Sequence, residues 1–181
     1  EVTFADKSVL RIGENTQVLI KDYALDEKGT RKNAHLFVER GKIRAIVSKA
    51  KKAPTNFYLS TPNSVGSVKG SDIFVAYQRS STTLLAVTGE IRAASPVFPD
   101  QEIVVRRGTA SFIPHERAPL EPRPFLSIER KRFENETNPT FFKERLDKEG
   151  FARAVVNKYS GNVRVRSKGE KKWHPVNLKE S

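Results

Sequence analysis

Asn56-Phe57-Tyr58-Leu59-Ser60-Thr61-Pro62-Asn63-Ser64-Val65-Gly66-Ser67-Val68-Lys69-Gly70-Ser71-Asp72-Ile73-Phe74-Val75-Ala76-Tyr77 consists of two apolar, strand-like runs joined through small residues. Phe57, Leu59 and Thr61 alternate with Tyr58 and Ser60, so one face of a first strand is apolar until Pro62, which has no N–H for a ladder and ends it. Val65 and Val68 lie among Gly66, Ser67, Gly70 and Ser71, residues small enough for two backbones to approach, and the glycines admit positive φ or a bulge. Beyond this corner Ile73, Val75 and Tyr77 alternate with Phe74 and Ala76, which predicts a strand with apolar side chains on both faces. On the residues alone, an ordinary hairpin corner explains the stretch equally well.

The combination Thr61-Pro62, Val65, Val68, Lys69-Gly70-Ser71-Asp72 and Phe74 resembles the central "TP, small-V, V-R-G-T-D-F" signature of the FecR domain family, which are bacterial cell-envelope domains. Lys69 stands where that family usually carries Arg, and Ser71 where it usually carries Thr. Upstream, Phe4-Ala5-Asp6-Lys7-Ser8-Val9-Leu10-Arg11-Ile12-Gly13-Glu14-Asn15-Thr16 is similar to the family's "F-x-D-G-S-x-x-R-L-G-x-N-S/T" opening. Lys7 replaces the customary turn glycine, which requires a left-handed lysine or another turn type. Leu36 through Gly41 to Arg44 fits the family's "L-x-x-G-x-i/v-R" loosely.

From the residues, Gln17 to Tyr23 predicts a strand, Asp26 to Gly29 a loop, and Leu36 to Arg40 with Lys42 to Lys49 a hairpin across Arg40-Gly41. Lys49, Lys51 and Lys52, before Pro54, form the most basic spot; it reads as a solvated hairpin end, with polyanion contact as the alternative. Ser80 to Ser95 alternates around Gly89, and Gln101 to Arg107 is a further strand closed by Gly108. These resemble the family's "T-x-V-x-V-x-x-G-x-V" and "V-x-L-x-x-G-Q" segments, with Thr109 in place of Gln. The resemblance therefore runs over residues 1–113.

Pro114, Pro119, Pro122 and Pro124 predict an extended linker over 114–126. In the tail, 127–181, Asn138 as N-cap, Pro139 at the first helical position and Gly150 as stop predict a short helix from Pro139 to Glu149. Ala154 to Tyr159, Gly161 to Arg166 and Lys172 to Leu178 read as strands, the last two as a hairpin. Gly161-Asn162-Val163-Arg164-Val165-Arg166 with Trp173-His174-Pro175-Val176 resembles the segment that normally begins a FecR domain. The tail is then a truncated second repeat, or strands completing the first domain, or strands donated to another chain in self-association.

Composition bounds the rest. The chain has 181 residues, 37% hydrophobic, with no cysteine and no methionine, which is enough for a folded core and excludes disulfides and thiolate chemistry. The absence of methionine and a start inside a strand point to a fragment or processed product. No run reaches the length of a membrane span. The net charge of +12 raises the question of nucleic acid, but it is spread evenly: 14 Lys+Arg against 8 Asp+Glu from residue 127 onward, and 19 against 13 before it. Diffuse charge without a reader motif makes nucleic acid the weaker alternative to another partner.

His35, His115 and His174 lack metal-ligand spacing, no phosphate loop or nucleophile elbow is present, and Asp6 and Asp72 read as turn or bulge caps. Trp173 reads as a hairpin residue covering a sheet. The expected structural residues are Asp6, Ser8, Gly13, Gly41, Thr61, Pro62, Val68, Gly70, Asp72, Phe74, Gly89, Gly108 and Trp173, with no catalytic, cofactor or metal site. Spacing supports an all-β chain; the resemblance implies a compact all-β domain, solenoid-like or sandwich-like, with a short helix and hairpin in the tail. It also implies a non-enzymatic binding or scaffold module facing the periplasm, with an envelope protein or wall glycan as partner. Family members in metal-uptake sensing couple an outer-membrane receptor to a sigma factor. This chain shows no inner-membrane helix or anti-sigma part, so a general envelope role is the expectation.

Overall fold

The computed structural model describes residues 1–49 and 56–138, and the backbone of 154–156, 164–165 and 174–175. The elements in order are β1 (Val2–Phe4), β2 (Val9–Ile12), β3 (Gln17–Leu25), β4 (Arg31–Ile46), β5 (Asn56–Thr61), β6 (Ser64–Gln78), β7 (Ser81–Ser95), β8 (Phe98–Arg106), β9 (Thr109–Ile113), β10 (Arg123–Pro124), α1 (Ser127–Glu136), β11 (Ala154–Val156), β12 (Arg164–Val165) and β13 (His174–Pro175). The chain is all-β with one short helix among the described residues, and β12 and β13 pair as a small hairpin.

Three strands organise the molecule. β4, β6 and β7 are 16, 15 and 15 residues long, well beyond the usual five or six. Each changes the parity of its buried positions partway. In β4 Ala34, Leu36 and Val38 are buried, then Gly41, Ile43 and Ala45; in β6 Ser64, Gly66 and Val68, then Ser71, Ile73 and Val75; in β7 Thr82, Leu84 and Ala86, then Ile91, Ala93 and Ser95. Because side chains alternate with a period of two, a one-residue slip turns the inward face outward. At each slip sits a glycine with positive φ, Gly41 at 92°, Gly70 at 51° and Gly89 at 67°. The strands bend there and continue in an opposed layer, so both halves present apolar side chains to one interior.

The pairings define the two layers. One holds β3, the first half of β4, β5, the first half of β6, the second half of β7, and β8; β4 and β5 are parallel there, Asn33 to Phe37 against Asn56 to Ser60. The other holds β11, β1, β2, the second halves of β4 and β6, the first half of β7, β9 and β10. Leu36, Val38, Phe57, Leu59, Val68, Ile91 and Val105 of the first layer meet Leu10, Ile43, Ile73, Val75, Leu84 and Ile113 of the second in one core. Of the two architectures the resemblance implied, this is the sandwich-like one.

Three expectations change. Arg40-Gly41 is no hairpin turn: β4 runs straight through it, because Gly41 at φ 92° lets the strand bend without reversing. The small-residue stretch from Val65 to Ser71 is a bulge inside β6; the reversal lies at Pro62-Asn63, where Thr61 pairs with Ser64. The Pro-rich segment lies along β9, with Leu120 N–H bonded to Phe112 O at 2.9 Å and Ser111 Oγ to Leu120 O at 2.5 Å. The described helix is Ser127–Glu136, and the expected one at Pro139 to Glu149 lies outside the described residues.

α1 covers the outer face of the second layer. Phe74, Leu85 and Ala110 point away from the main core and are buried by Phe125 and Phe133, with the Phe74 and Phe133 rings 5.3 Å apart. This accounts for the apolar residues on both faces of β6. Glu129 starts the helix by accepting the Leu126 N–H at 2.7 Å. Hydrogen bonds from the Arg123 guanidinium, then that from Leu126, hold the Glu129 carboxyl down to about 2.

Candidate interaction groove

The motif residues lie within the fold. Asp6 is ion-paired to Arg31, both side chains almost fully buried, and its carboxylate also accepts the Ser8 N–H at 3.1 Å and the Ser8 hydroxyl at 2.8 Å. Lys7 takes the left-handed conformation, φ 68°, in that turn. Tyr23 donates its hydroxyl to Asp6 Oδ1 at 3.1 Å, and its pKa is pushed up to about 12, by burial first and then by the Asp6 charge. The Arg31 guanidinium lies over the Phe57 ring at 5.0 Å. Among the described residues the Asp72 carboxylate caps no backbone N–H; it takes a two-pronged ion pair from Arg44 on the neighbouring strand β4, at 2.8 and 2.6 Å. The Arg44 pKa is raised, chiefly by that hydrogen bond.

Thr61, Asn63 and Thr82 form a buried polar knot. Thr61 and Thr82 hydroxyls are 2.6 Å apart, and the Asn63 amide donates to Ile113 O at 2.9 Å and Pro114 O at 3.1 Å, tying the β5–β6 turn to the end of β9. Pro62 is exposed at the turn, and Val68 and Phe74 are buried on opposite faces of β6. Ser71 Oγ takes the Glu90 N–H at 2.9 Å and donates to Lys69 O at 2.9 Å, filling the corner in which a Cβ on Gly89 has no room. Gly13 is buried and bonded to Lys42 O at 2.9 Å; Gly108 turns the chain from β8 into β9 at φ 82°.

Lys49 is exposed and its side chain lies against Gly70; Lys51, Lys52 and Trp173 lie outside the described residues. His35 Nε2 is 2.6 Å from Ser60 Oγ, with its pKa lowered by burial and then by Lys21, and His115 is exposed beside Glu116. Among the described residues no three His, Cys, Asp or Glu side chains are placed to hold a metal ion.

The corner at Gly41 opens a different surface. Thr16 Oγ1 accepts the Lys42 N–H at 3.0 Å and donates to Lys42 O at 3.2 Å, sealing the bend from inside. Outside it, a groove of about 800 Å³ is lined by Gly41 and Ala76, by Glu14 and Asn15, by Tyr77, Gln78 and Arg79, and by Arg40, Phe112 and Arg132. A smaller cleft of about 420 Å³ continues from Glu14 and Gln78 to Lys42 and Glu136 on α1. Glu136 is bound by Lys42 and by Arg132 Nε at 3.1 Å. Burial acts to raise the Glu136 carboxyl, but the hydrogen bonds from Lys42 and Arg132 outweigh it and leave its pKa below the ordinary value.

None of Arg40, Tyr77, Arg79, Phe112 or Arg132 stands out in the sequence as a site residue, because the groove is assembled from five elements and connections. One local signal exists. Arg79-Ser80 joins two alternating runs as a two-residue loop, a place that favours Asn-Gly, and both residues have positive φ, 49° and 58°.

The model of a family described as "FecR protein" matches residues 1–92. Among solved structures, a crystal structure of a "putative anti-sigma factor from Parabacteroides distasonis" is 15% identical with a TM-score of 0.53, covering 72% of this chain and 59% of its own. A second crystal structure of the same description is 12% identical with a TM-score of 0.47, covering 72% and 63%. The chain thus spans about 59% of the length of the first of these. No curated protein matches.

Proposed function

The chain belongs to the FecR family, and from that premise we propose that it is a non-enzymatic binding module of the bacterial cell envelope, facing the periplasm and serving signal transduction through contact with an envelope protein. The observation that carries this reading is where the polar motif residues are spent. Asp6, Ser8, Thr61, Ser71 and Asp72 each close a turn, a bulge or an ion pair of the fold itself. What faces outward at the Gly41 corner is a set of arginine and aromatic side chains around a groove, a composition suited to holding a partner. A wall glycan is the second candidate partner.

The tail belongs to the same reading. β11 pairs with β1, Val2 opposite Val156, and α1 covers Phe74. Both support a tail that completes the first domain over one that begins a second repeat.

Equilibrium binding of the whole chain to solubilised envelope protein, to isolated wall sacculi and to duplex DNA, each at low and high salt, tests the proposal. Envelope binding that survives high salt is the expected result. DNA as the only ligand, with affinity falling steeply as salt rises, overturns it.

A further inference from the structure

We infer that the groove lined by Gly41 and Ala76 is the docking site for an acidic segment of a protein partner, its carboxylates held by Arg40 and Arg79 and an apolar side chain lying on Tyr77 and Phe112. The inference rests on the reading of the chain as a binding module and names the surface and the chemistry of what it binds.

Charge is the first argument. Three arginines line the groove against one carboxylate, Glu14. Arg132 is already engaged, its Nε 3.1 Å from Glu136. Arg40 and Arg79 are exposed and form no ion pair among the described residues. A guanidinium presents a planar fork that matches a carboxylate, so two unengaged forks over one groove favour an anionic occupant.

Backbone strain is the second. The left-handed conformation is costly for a residue with a Cβ, and a loop of this kind is at its easiest as Asn-Gly. Here it is Arg79-Ser80, at φ 49° and 58°. A long cationic side chain held in an unfavourable conformation at the lip of a groove is a feature of sites in which placement matters more than local stability.

The aromatic lining separates a protein segment from other anions. Phe112 is 42% exposed although it sits in a strand, and half-buried Tyr77, packed on one side against the main core, also lines the groove. Tyr, Phe and Arg are the side chains enriched at the centres of protein interfaces. A nucleic acid backbone asks instead for a stripe of cations, and Glu14 and Glu136 interrupt any such stripe at this corner.

The test uses the whole chain and a fluorescein-labelled hexapeptide, Glu-Leu-Glu-Phe-Glu-Leu, followed by anisotropy. The same peptide with Lys for every Glu, a single-stranded oligonucleotide and a heparin fragment serve as competitors. Saturable binding of the acidic peptide is expected. Arg79→Asn is expected to weaken it roughly tenfold while raising the melting temperature, since Asn suits the turn, so the loss cannot come from unfolding. Arg40→Ala is expected to act in the same direction, and Arg107→Ala, at the opposite corner beside Gly89, to leave binding unchanged. Absence of binding, equal affinity for the lysine peptide, no effect of Arg79→Asn, or tighter binding of oligonucleotide or heparin overturns the inference. If the peptide fails while the chain still binds envelope protein in the assay above, the groove assignment falls and the binding-module reading stands.

Discussion

Gly41 joins two constraints at one position. Its φ of 92° lies where an L side chain rarely goes, and a Cβ there runs into Thr16, whose hydroxyl already holds both the N–H and the C=O of Lys42. Gly41→Ala is therefore expected to lose at least about 2 kcal/mol, from the left-handed cost plus overpacking, measured as a shift of the urea midpoint. Gly29, in the turn before β4, is a useful contrast, with φ 74° but open space around it, so Gly29→Ala carries the backbone cost alone. Asp6 makes a second residue-scale claim. Removing it takes the paired carboxylate away from the buried Arg31 cation, and Asp6→Ala is expected to cost about 3–5 kcal/mol, whereas a merely exposed turn cap contributes about 1 kcal/mol.

Tyr23 belongs to the same cluster and sets a pH dependence. Its folded pKa is raised from 10.0 to about 12, so the folded chain keeps the phenol proton after the unfolded chain has lost it. The stabilisation is fully present below pH 10 and is lost as pH rises from 10 toward 12. Tyr23→Phe, which cannot titrate, is expected to flatten that part of the stability–pH curve relative to the unsubstituted chain. An unchanged slope in denaturant melts across this window contradicts the burial of the phenol beside Asp6.

At the scale of elements, the parity of buried positions was written in the sequence, and its meaning was not. Leu36 and Val38 followed by Ile43 and Ala45 change phase across Arg40-Gly41; a hairpin and a bent strand both explain that change, and only the packing of Thr16 against Gly41 decides between them. The small residues around Gly70 predict positive φ or a bulge, yet nothing local says that the bends at Gly70 and Gly89 both carry their strands between the same two layers. α1 was illegible for a different reason. Ile128 and Phe133 are its only large apolar residues, too few for a helical stripe, and its support comes from pairs four apart, Arg130 with Glu134 and Arg132 with Glu136. No residue of α1 is buried, so its docking depends on Phe133 against Phe74 and on Lys42 with Glu136. Phe133→Ala is expected to cost roughly 1–3 kcal/mol. Amide exchange should show protection lost over residues 127–136 while β4, β6 and β7 keep theirs; loss of the whole sandwich contradicts this.

For the molecule as a whole, three bent strands fold one sheet onto itself, and the bends fall at its two ends. Gly70 and Gly89 lie at one end, where Ser71 fills the corner, and Gly41 at the other, where the corner is left open as the groove. The net charge of +12 is spread over the chain, and position gives it use: Arg40 and Arg79 form no ion pair among the described residues at the open corner, while Arg31 is consumed inside by Asp6 and Arg44 on the outer face by Asp72. Two-dimensional NMR of the isotope-labelled chain titrated with the acidic hexapeptide tests this division most directly. Shifts confined to the amides of Asn15, Arg40, Gly41, Tyr77 to Ser81 and Phe112 are the predicted result; shifts clustered instead at Lys49, Gly70 and Gly89, or none at all, contradict it.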